Sequence, residues 1–296
     1  MKVNFKTVAE NSDEFPALLK EISDPPSKIF IAGNLPQDPP AGNPKIAVVG
    51  TRKATSVGKS LAKELAKNLA SSGIVVVSGL AIGIDTAAHH GALESGGKTI
   101  AVLANGLDKI YPAQNENLAE EIVKTGALIS EYPEGTPSYP NQFLERNRIV
   151  SGLCLAVIVV EAPERSGSLA TARFALEQNR EVFVVPGPAN HPNYKGSHQL
   201  IRDGARLISS AREVFEDLNL KIEPENKNGP AINSGFSGIK DGNQAKILTI
   251  LSQSGRPLNI DKIIELSKLN PQTVNQSLAF LVLSGALKET EQGYTI

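Results

Sequence analysis

The stretch Phe143-Leu-Glu-Arg-Asn-Arg148, then the apolar run Leu153 to Val160 closed by Glu161, then Arg165-Ser-Gly-Ser-Leu-Ala-Thr171, decides the fold. The run is short, rich in Val and Ile and flanked by turn residues, which predicts a strand buried on both faces of a parallel sheet. The chemistry then sits at its two ends. Past the strand, Ser166, Gly167 and Ser168 lead into a helical pattern, so free backbone N–H groups and the positive helix end face an anion there. Ahead of it, Arg146 and Arg148 supply fixed positive charge.

Outward from this stretch, strands and helices alternate from Lys45 to about Leu218. Strands are predicted at Ile46 to Val49, Ile74 to Val77, Thr99 to Leu103, Ala127 to Ser130, Leu155 to Val160 and Glu181 to Val185. Amphipathic helical segments, including Val57 to Ser71, Thr86 to Glu94 and Asn115 to Lys124, separate them. Such alternation predicts an α/β fold, a doubly wound parallel sheet with helices on both faces. Ligands of such sheets bind outside the carboxyl ends of the strands. Four of those ends carry Gly50-Thr51-Arg52, Ser78-Gly79, Ala104-Asn105-Gly106 and Pro186-Gly187-Pro188.

The flanks read differently. Residues 1–44, with a helical stretch around Phe15 to Ile22 and the Pro-rich Pro36 to Pro44, are expected to form an extended lead-in with little core of its own. Residues 219–243, rich in Gly, Pro, Asn and Ser, predict a flexible linker. Residues 244–296 predict helices near Gln244 to Ser252, Ile260 to Ser267 and Pro271 to Ser284, and a hairpin over Ala286 to Ile296 turning at Gln292-Gly293. That order matches a small winged-helix domain. Its third helix, in the recognition position, carries no Lys or Arg, only Gln272, Asn275 and Gln276, which favours protein contact or regulation over reading duplex sequence.

A chain of 296 residues with 41% hydrophobic content buries a large core, in one large or two unequal domains. No apolar run approaches the ~20 residues of a membrane helix, and the start around Lys2 and Lys6 lacks the apolar segment of a secretory signal. A cytoplasmic location is the expectation. The single Cys154 excludes an intrachain disulfide or a cysteine metal cluster and reads as a small core residue. The surroundings of His90, His191 and His198 supply no set of metal ligands, so neither metal nor cofactor is expected. The formal net charge of −1 means that any nucleic-acid binding comes from a local patch.

Two familiar phosphate loops are excluded by spacing. Gly58-Lys59-Ser60 looks like the end of a Walker A loop, but seven residues separate Gly50 from Gly58 where that loop has four. Lys59 then reads as a solvated helix residue. A dinucleotide fingerprint fails because the second glycine is missing and the second strand ends in Ser78, not in a ribose-binding acid. Arg52, directly after a strand-end glycine, points to a phosphate contact or a structural ion pair. Asp85 and His89 share a helix face, Asp85 as an N-terminal acid or cap and His89 as a base, a ligand or a helix-anchoring hydrogen bond. Arg146 and Arg148 flank Asn147, with Phe143 and Tyr139 upstream; such charge beside aromatic rings suits single-stranded nucleic acid, whose phosphates follow the charge while bases stack. The alternative is an arginine pair bonded to Glu131, Glu145 or Glu161, with Phe143 in the core. Arg165, Arg173 and Lys195 extend the basic patch.

These residues carry a family resemblance. Val48-Val-Gly-Thr-Arg52, Ser78-Gly-Leu-Ala-Ile-Gly-Ile-Asp85, Ala88-His89, Gly97-Lys-Thr-Ile-Ala-Val-Leu103, Tyr111-Pro112, Ser130-Glu131, Arg146-Asn-Arg-Ile-Val-Ser-Gly152, Val160-Glu-Ala162, Ser166-Gly-Ser-Leu-Ala-Thr171 and Val185-Pro-Gly187 occur in order. The chain resembles the DprA family, also called Smf, of DNA-processing proteins. The resemblance implies an extended Rossmann-like domain that binds single-stranded DNA, loads the RecA recombinase in natural transformation, forms a homodimer and has no catalytic activity. It also implies a DNA pocket of Arg52, Ser78, Gly79, Phe143, Arg146, Asn147, Ser166, Gly167 and Ser168, with Arg148 partly structural. Leu144 stands where many members have proline.

The rival is an enzyme. Rossmann-like nucleotide phosphoribohydrolases carry Pro-Gly-Gly-x-Gly-Thr-x-x-Glu at the corresponding junction. With its Thr on Thr171, the catalytic Glu falls on Phe174, and a phenyl ring exchanges no proton.

Overall fold

The computed structural model describes residues 4–40, 42–220, 242–254, 257–283, 287–290 and 293–295. The chain divides into two compact units, Met1–Lys227 and Asn228–Ile296.

In the first unit nine strands form one sheet: β1 (Phe5–Ala9), β2 (Lys28–Gly33), β3 (Lys45–Val49), β4 (Val75–Ser78), β5 (Thr99–Val102), β6 (Ala127–Ser130), β7 (Ala156–Val159), β8 (Glu181–Val184) and β9 (Arg206–Leu207). Their order is β1-β2-β6-β5-β4-β3-β7-β8-β9. All pairings from β6 to β9 are parallel, while β1 with β2 and β2 with β6 are antiparallel. The chain winds outward from β3 through β4 and β5 to β6, then returns to place β7 against the other side of β3, with Ile46 beside Ala156 and Val49 beside Val159. The β3–β7 boundary is therefore the topological switch point, where a crevice opens at the carboxyl edge.

The strands are apolar on both faces because helices cover both. Ala47, Val49, Val157 and Val159 pack with Ile149, Val150 and Ala172 of α5 (Pro140–Gly152) and α6 (Gly167–Glu177). Ile46, Val48, Ala156 and Ile158 pack on the opposite face against Ala62, Leu65, Ala66 and Leu69 of α2 (Ser56–Ser71), and Ala88 and Ala92 of α3 (Ile84–Glu94). The period of two thus fills two cores from one strand, and each Val or Ile removed from water contributes roughly 1.5–3 kcal/mol. Further helices are α4 (Glu116–Thr125), α7 (Lys195–Arg202) and α8 (Ala211–Asp217).

Residues 1–44 differ from the expected lead-in. They supply β1, β2 and the short α1 (Ala17–Lys20), with β2 hydrogen-bonded to β6 through Phe30 opposite Ser130. Phe15, Leu19 and Ile22 join the core beside α5. The alternation was too brief to register in strands of five and six residues set among prolines; sheet pairing supplied the rest.

In the second unit α9 (Gly242–Ser254), α10 (Ile260–Ser267) and α11 (Pro271–Leu283) precede an antiparallel pair, β10 (Lys288–Thr290) and β11 (Gly293–Thr295). Ile247, Leu251, Ile263, Val274, Leu278 and Leu281 make its core. Asn259 caps α10 by accepting from the Lys262 N–H at 2.9 Å. Residues 221–241 of the linker predicted over 219–243, the end of the third helix at Ser284, and Gln292 in the predicted turn lie outside the described residues.

Candidate functional site

At the switch point a cavity of about 680 Å³ opens. Gly50 to Lys53 come from the end of β3, Gly79 from the end of β4, Phe143, Arg146 and Asn147 from α5, and Ser166 to Ser168 from the start of α6. Both ends of the opening stretch meet here, although they were expected at opposite ends of β7. The reason is that Arg146 lies on a helix, α5, that runs back toward the start of β7, so its first half stands at the carboxyl edge beside the exit of β7.

Arg146 is buried, 4% exposed. Its Nη1 donates to the Gly79 carbonyl at 2.7 Å and to the Val102 carbonyl, the ends of β4 and β5. Burial lowers its pKa to about 10, with the charge of Asp85 opposing that shift, so it stays a cation at neutral pH. Asp85 accepts from the Gly79 N–H at 3.0 Å and the Ala81 N–H at 3.4 Å. Burial nevertheless raises the Asp85 carboxyl above the ordinary range, against the pull of Arg146 and those N–H groups. The buried Arg146 thus has two neutral carbonyls as hydrogen-bond acceptors, and its Nε has none. A cation so placed favours an anion in the cavity it lines.

His89, one turn along α3 from Asp85, is a helix anchor. Thr99 Oγ1 donates to the Val76 carbonyl at 2.7 Å, so it accepts from His89 Nδ1 at 2.7 Å. Burial, then His90 and Arg146, hold the His89 pKa at about 3, and it is neutral. No group of three or more His, Cys, Asp or Glu able to hold a metal occurs among the described residues.

The two helix N-termini at the switch point are used differently. That of α2 is filled by the protein itself: the buried Glu161 carboxylate accepts from the Thr55 N–H at 3.0 Å, from the Thr55 hydroxyl, from Asn193 Nδ2 at 3.0 Å and from the Tyr194 hydroxyl at 3.0 Å. Burial pushes this carboxyl up, but the hydrogen bonds outweigh it and hold it below the usual range. A Cβ at Gly58 would lie 2.2 Å from Glu161 Oε1, so only glycine lets the carboxylate in. At α6 the N-terminus faces the cavity. Ser166 caps it by accepting from the Ser168 N–H at 3.3 Å, Asn147 Nδ2 donates to the Gly167 carbonyl at 3.1 Å, and a Cβ at Gly167 would meet nothing within 4 Å. The Leu169 N–H bonds the Ser166 carbonyl at 3.1 Å, so what α6 offers an external anion is its positive end and the unobstructed backbone at Gly167.

On the rim, the Arg52 guanidinium sits 4.7 Å from the centroid of the Phe143 ring. Phe143 in turn lies 5.5 Å from Tyr111, which is 46% exposed. Rings and a cation standing half in water above buried charge form a stacking surface for planar groups.

Residues 6–219 match the family described as DNA recombination-mediator protein A. The chain belongs to that family. It is 44% identical over 212 residues to the DNA processing protein DprA of Bacillus subtilis, covering 72% of this chain and 71% of that protein. It is 41% identical to Protein Smf of Escherichia coli over 75% of this chain, and spans 60% of that relative's length. Among solved structures, DprA of Streptococcus pneumoniae superposes with a TM-score of 0.67 at 41% identity, over 72% of this chain and 74% of that one. DNA processing protein A of Helicobacter pylori, described for its single-stranded DNA binding mode, gives 0.65 at 31% identity, over 75% of this chain and 99% of that one.

Within this DprA framework the predicted pocket residues separate. Arg52, Gly79, Phe143, Arg146, Asn147, Ser166, Gly167 and Ser168 line one cavity. Ser78 does not: it is fully buried and its Oγ donates to the Val48 carbonyl at 2.7 Å, tying β4 to β3. Arg148 turns the other way, onto a second cavity of about 390 Å³, where it pairs with Glu131 at 2.8 and 3.2 Å and with Asp24 at 2.8 Å. The ion-pair alternative is thus what Arg148 does and Arg146 does not. Phe174 lines this second cavity as well. Of the patch extensions, Arg165 lines the first cavity. Tyr111 and Lys53 also line it and were not singled out as site residues. Lys53 follows Arg52 directly, and a tyrosine beside proline at a strand-end loop was the available signal for Tyr111.

Proposed function

We propose that this chain binds single-stranded DNA at the switch-point cavity and acts in DNA processing during natural transformation, protecting the strand and loading RecA on it. One observation carries the reading: a buried arginine without a carboxylate hydrogen-bond partner, an open helix N-terminus and a half-exposed cation–aromatic rim line the same cavity. Charge and N–H groups suit phosphates, and the rings suit bases, which only an unpaired strand presents. The relationship to DprA of Bacillus subtilis and to the Helicobacter pylori protein supports the same assignment. In this reading the protein works in the cytoplasm as a homodimer, without catalysing a reaction, and its C-terminal unit is a winged helix.

The direct test is a titration of oligo-dT and a duplex of equal length against the full chain. Tighter oligo-dT binding that weakens with rising salt is expected. Equal or tighter duplex binding refutes the assignment. RecA loading is tested by whether the protein shortens the lag of RecA assembly on oligo-dT, and the dimer by sedimentation. The phosphoribohydrolase alternative requires an acid where Phe174 stands, and release of free base from nucleoside monophosphates would establish it; none is expected.

A further inference from the structure

We propose that a row of lysines along α2, Lys59, Lys63 and Lys67, is a second contact for the phosphate backbone of single-stranded DNA, leading the strand away from the cavity. This rests on the single-strand reading of the cavity. Helix α2 begins just after Arg52 and Lys53 on the cavity wall and runs back along the sheet. Residues four apart lie on neighbouring turns, with a rise of ~6 Å per step. That repeat is of the order of the step between phosphates of an extended strand.

The lysines have no part in the core. The packing face of α2 is Ala62, Leu65, Ala66 and Leu69, while Lys59 and Lys67 are exposed and the Lys63 side chain is 44% exposed. Carboxylates on or adjoining α2 are Glu64, on α2 itself, Glu94 of the adjoining α3, and Glu213, Glu216 and Asp217 of α8, which also packs on α2 but whose acids bond Ser209, Arg212 and Arg206. Glu94 is held below the usual carboxylate range by the hydrogen bond from Lys63, and further by the charges of Lys63, Lys67 and His90. Three lysines stand against the two carboxylates Glu64 and Glu94, and of the three only Lys63 is ion-paired with Glu94, so positive charge remains for an external anion. In a chain of net charge −1 such a row is not part of a generally basic surface. The N-terminus of α2 is already occupied by Glu161, so any anion held along this helix is held by side-chain charge.

The test compares the full-length wild type with Lys59→Gln/Lys63→Gln/Lys67→Gln on oligo-dT of about 6 and about 24 nucleotides, the first near the lower end and the second beyond the upper end of the ~4–16 nucleotide footprint of a single-strand groove. The 6-mer, held by the cavity, should bind both proteins alike. The 24-mer should bind the variant on the order of 100-fold more weakly at ~0.1 M salt, with a log–log salt slope shallower by about 2, since each phosphate contact on a single strand contributes ~0.7. Unchanged 24-mer affinity and slope overturn the track. Equal losses at both lengths also overturn it, because the lysines would then act through the general field. A variant that keeps both DNA affinities yet loses binding to poly-glutamate assigns the row to an acidic protein segment and overturns it too. If the wild type binds neither oligomer, the cavity reading itself has failed; if it binds the 6-mer, a negative result concerns the track alone.

Discussion

The Arg146 guanidinium lies against Gly79 so closely that a Cβ built on this glycine would stand 2.4 Å from Nη2 and 2.6 Å from Cζ, while Nη1 donates to the Gly79 carbonyl at 2.7 Å. The absence of a side chain at the end of β4 is what allows a buried cation to reach the cavity. Gly79→Ala should therefore push Arg146 aside, lowering stability by about 1–3 kcal/mol, the usual range for overpacking, and weakening oligo-dT binding about tenfold. Denaturant unfolding and fluorescence anisotropy check the two effects. An alanine variant with wild-type melting and affinity would contradict this packing argument.

The two arginines of α5 should separate cleanly in mutation. Arg148→Ala breaks contacts with Glu131 and Asp24; Arg148 and Glu131 are 13% and 16% exposed, but Asp24 is 77% exposed. A stability loss of about 2–3 kcal/mol is expected, below the figure for a fully buried pair, with oligo-dT affinity unchanged for the folded protein. Arg146→Ala should instead weaken binding by about 1–3 kcal/mol. Loss of affinity in the Arg148 variant at full folding would move the DNA path to the second cavity.

The rim is tested by its rings. Phe143→Ala and Tyr111→Ala should each cost about 1–3 kcal/mol of single-strand affinity, the scale of one stacked base. Because the rings touch, at 5.5 Å between centroids, the double variant should lose less than the two single losses together. Strict additivity would mean that they act on separate nucleotides.

Acid sensitivity should be set first by His89. Its ordinary pKa of 6.5 holds in the unfolded chain, and burial brings it to about 3 in the fold. The unfolded state takes the proton first, so this contribution is complete above pH 6.5 and is lost as pH falls, at about 1.4 kcal/mol per pH unit. Glu161, depressed in the fold from 4.5, adds a second loss that begins only below that value. His89→Gln should flatten stability between pH 6.5 and 4.5 and leave the steeper fall below it. Unfolding curves at pH 7, 6 and 5 with wild-type slope in the variant would show that another group governs this range.

The parallel strands were legible because they are buried on both faces: Ile46 to Val49 and Leu155 to Val160 read as apolar runs whichever face they turn. The helix N-terminus at Ser166 was legible for a similar reason, since capping is a local property. Residues 1–44 were not, because β1 and β2 owe their strand structure to pairing with each other and with β6. By spacing and charge Arg146 and Arg148 looked alike, and only the family resemblance marked Arg148 as partly structural. Two positions apart on a helix they point to opposite sides, and the helix over Pro140–Gly152 gives that distinction its geometric basis.

From sequence alone, then, this protein has an alternating α/β pattern, glycine-lined strand ends, a capped helix start and arginines near aromatic rings, all set by short-range periodicity and residue chemistry. Tertiary structure decided the rest. It set β7 beside β3, carried Arg146 round to the exit of its own strand, filled the α2 N-terminus with Glu161 and left that of α6 open. These are outcomes of which strand pairs with which, and pairing depends on contacts between residues such as Thr55 and Glu161, which stand 106 positions apart.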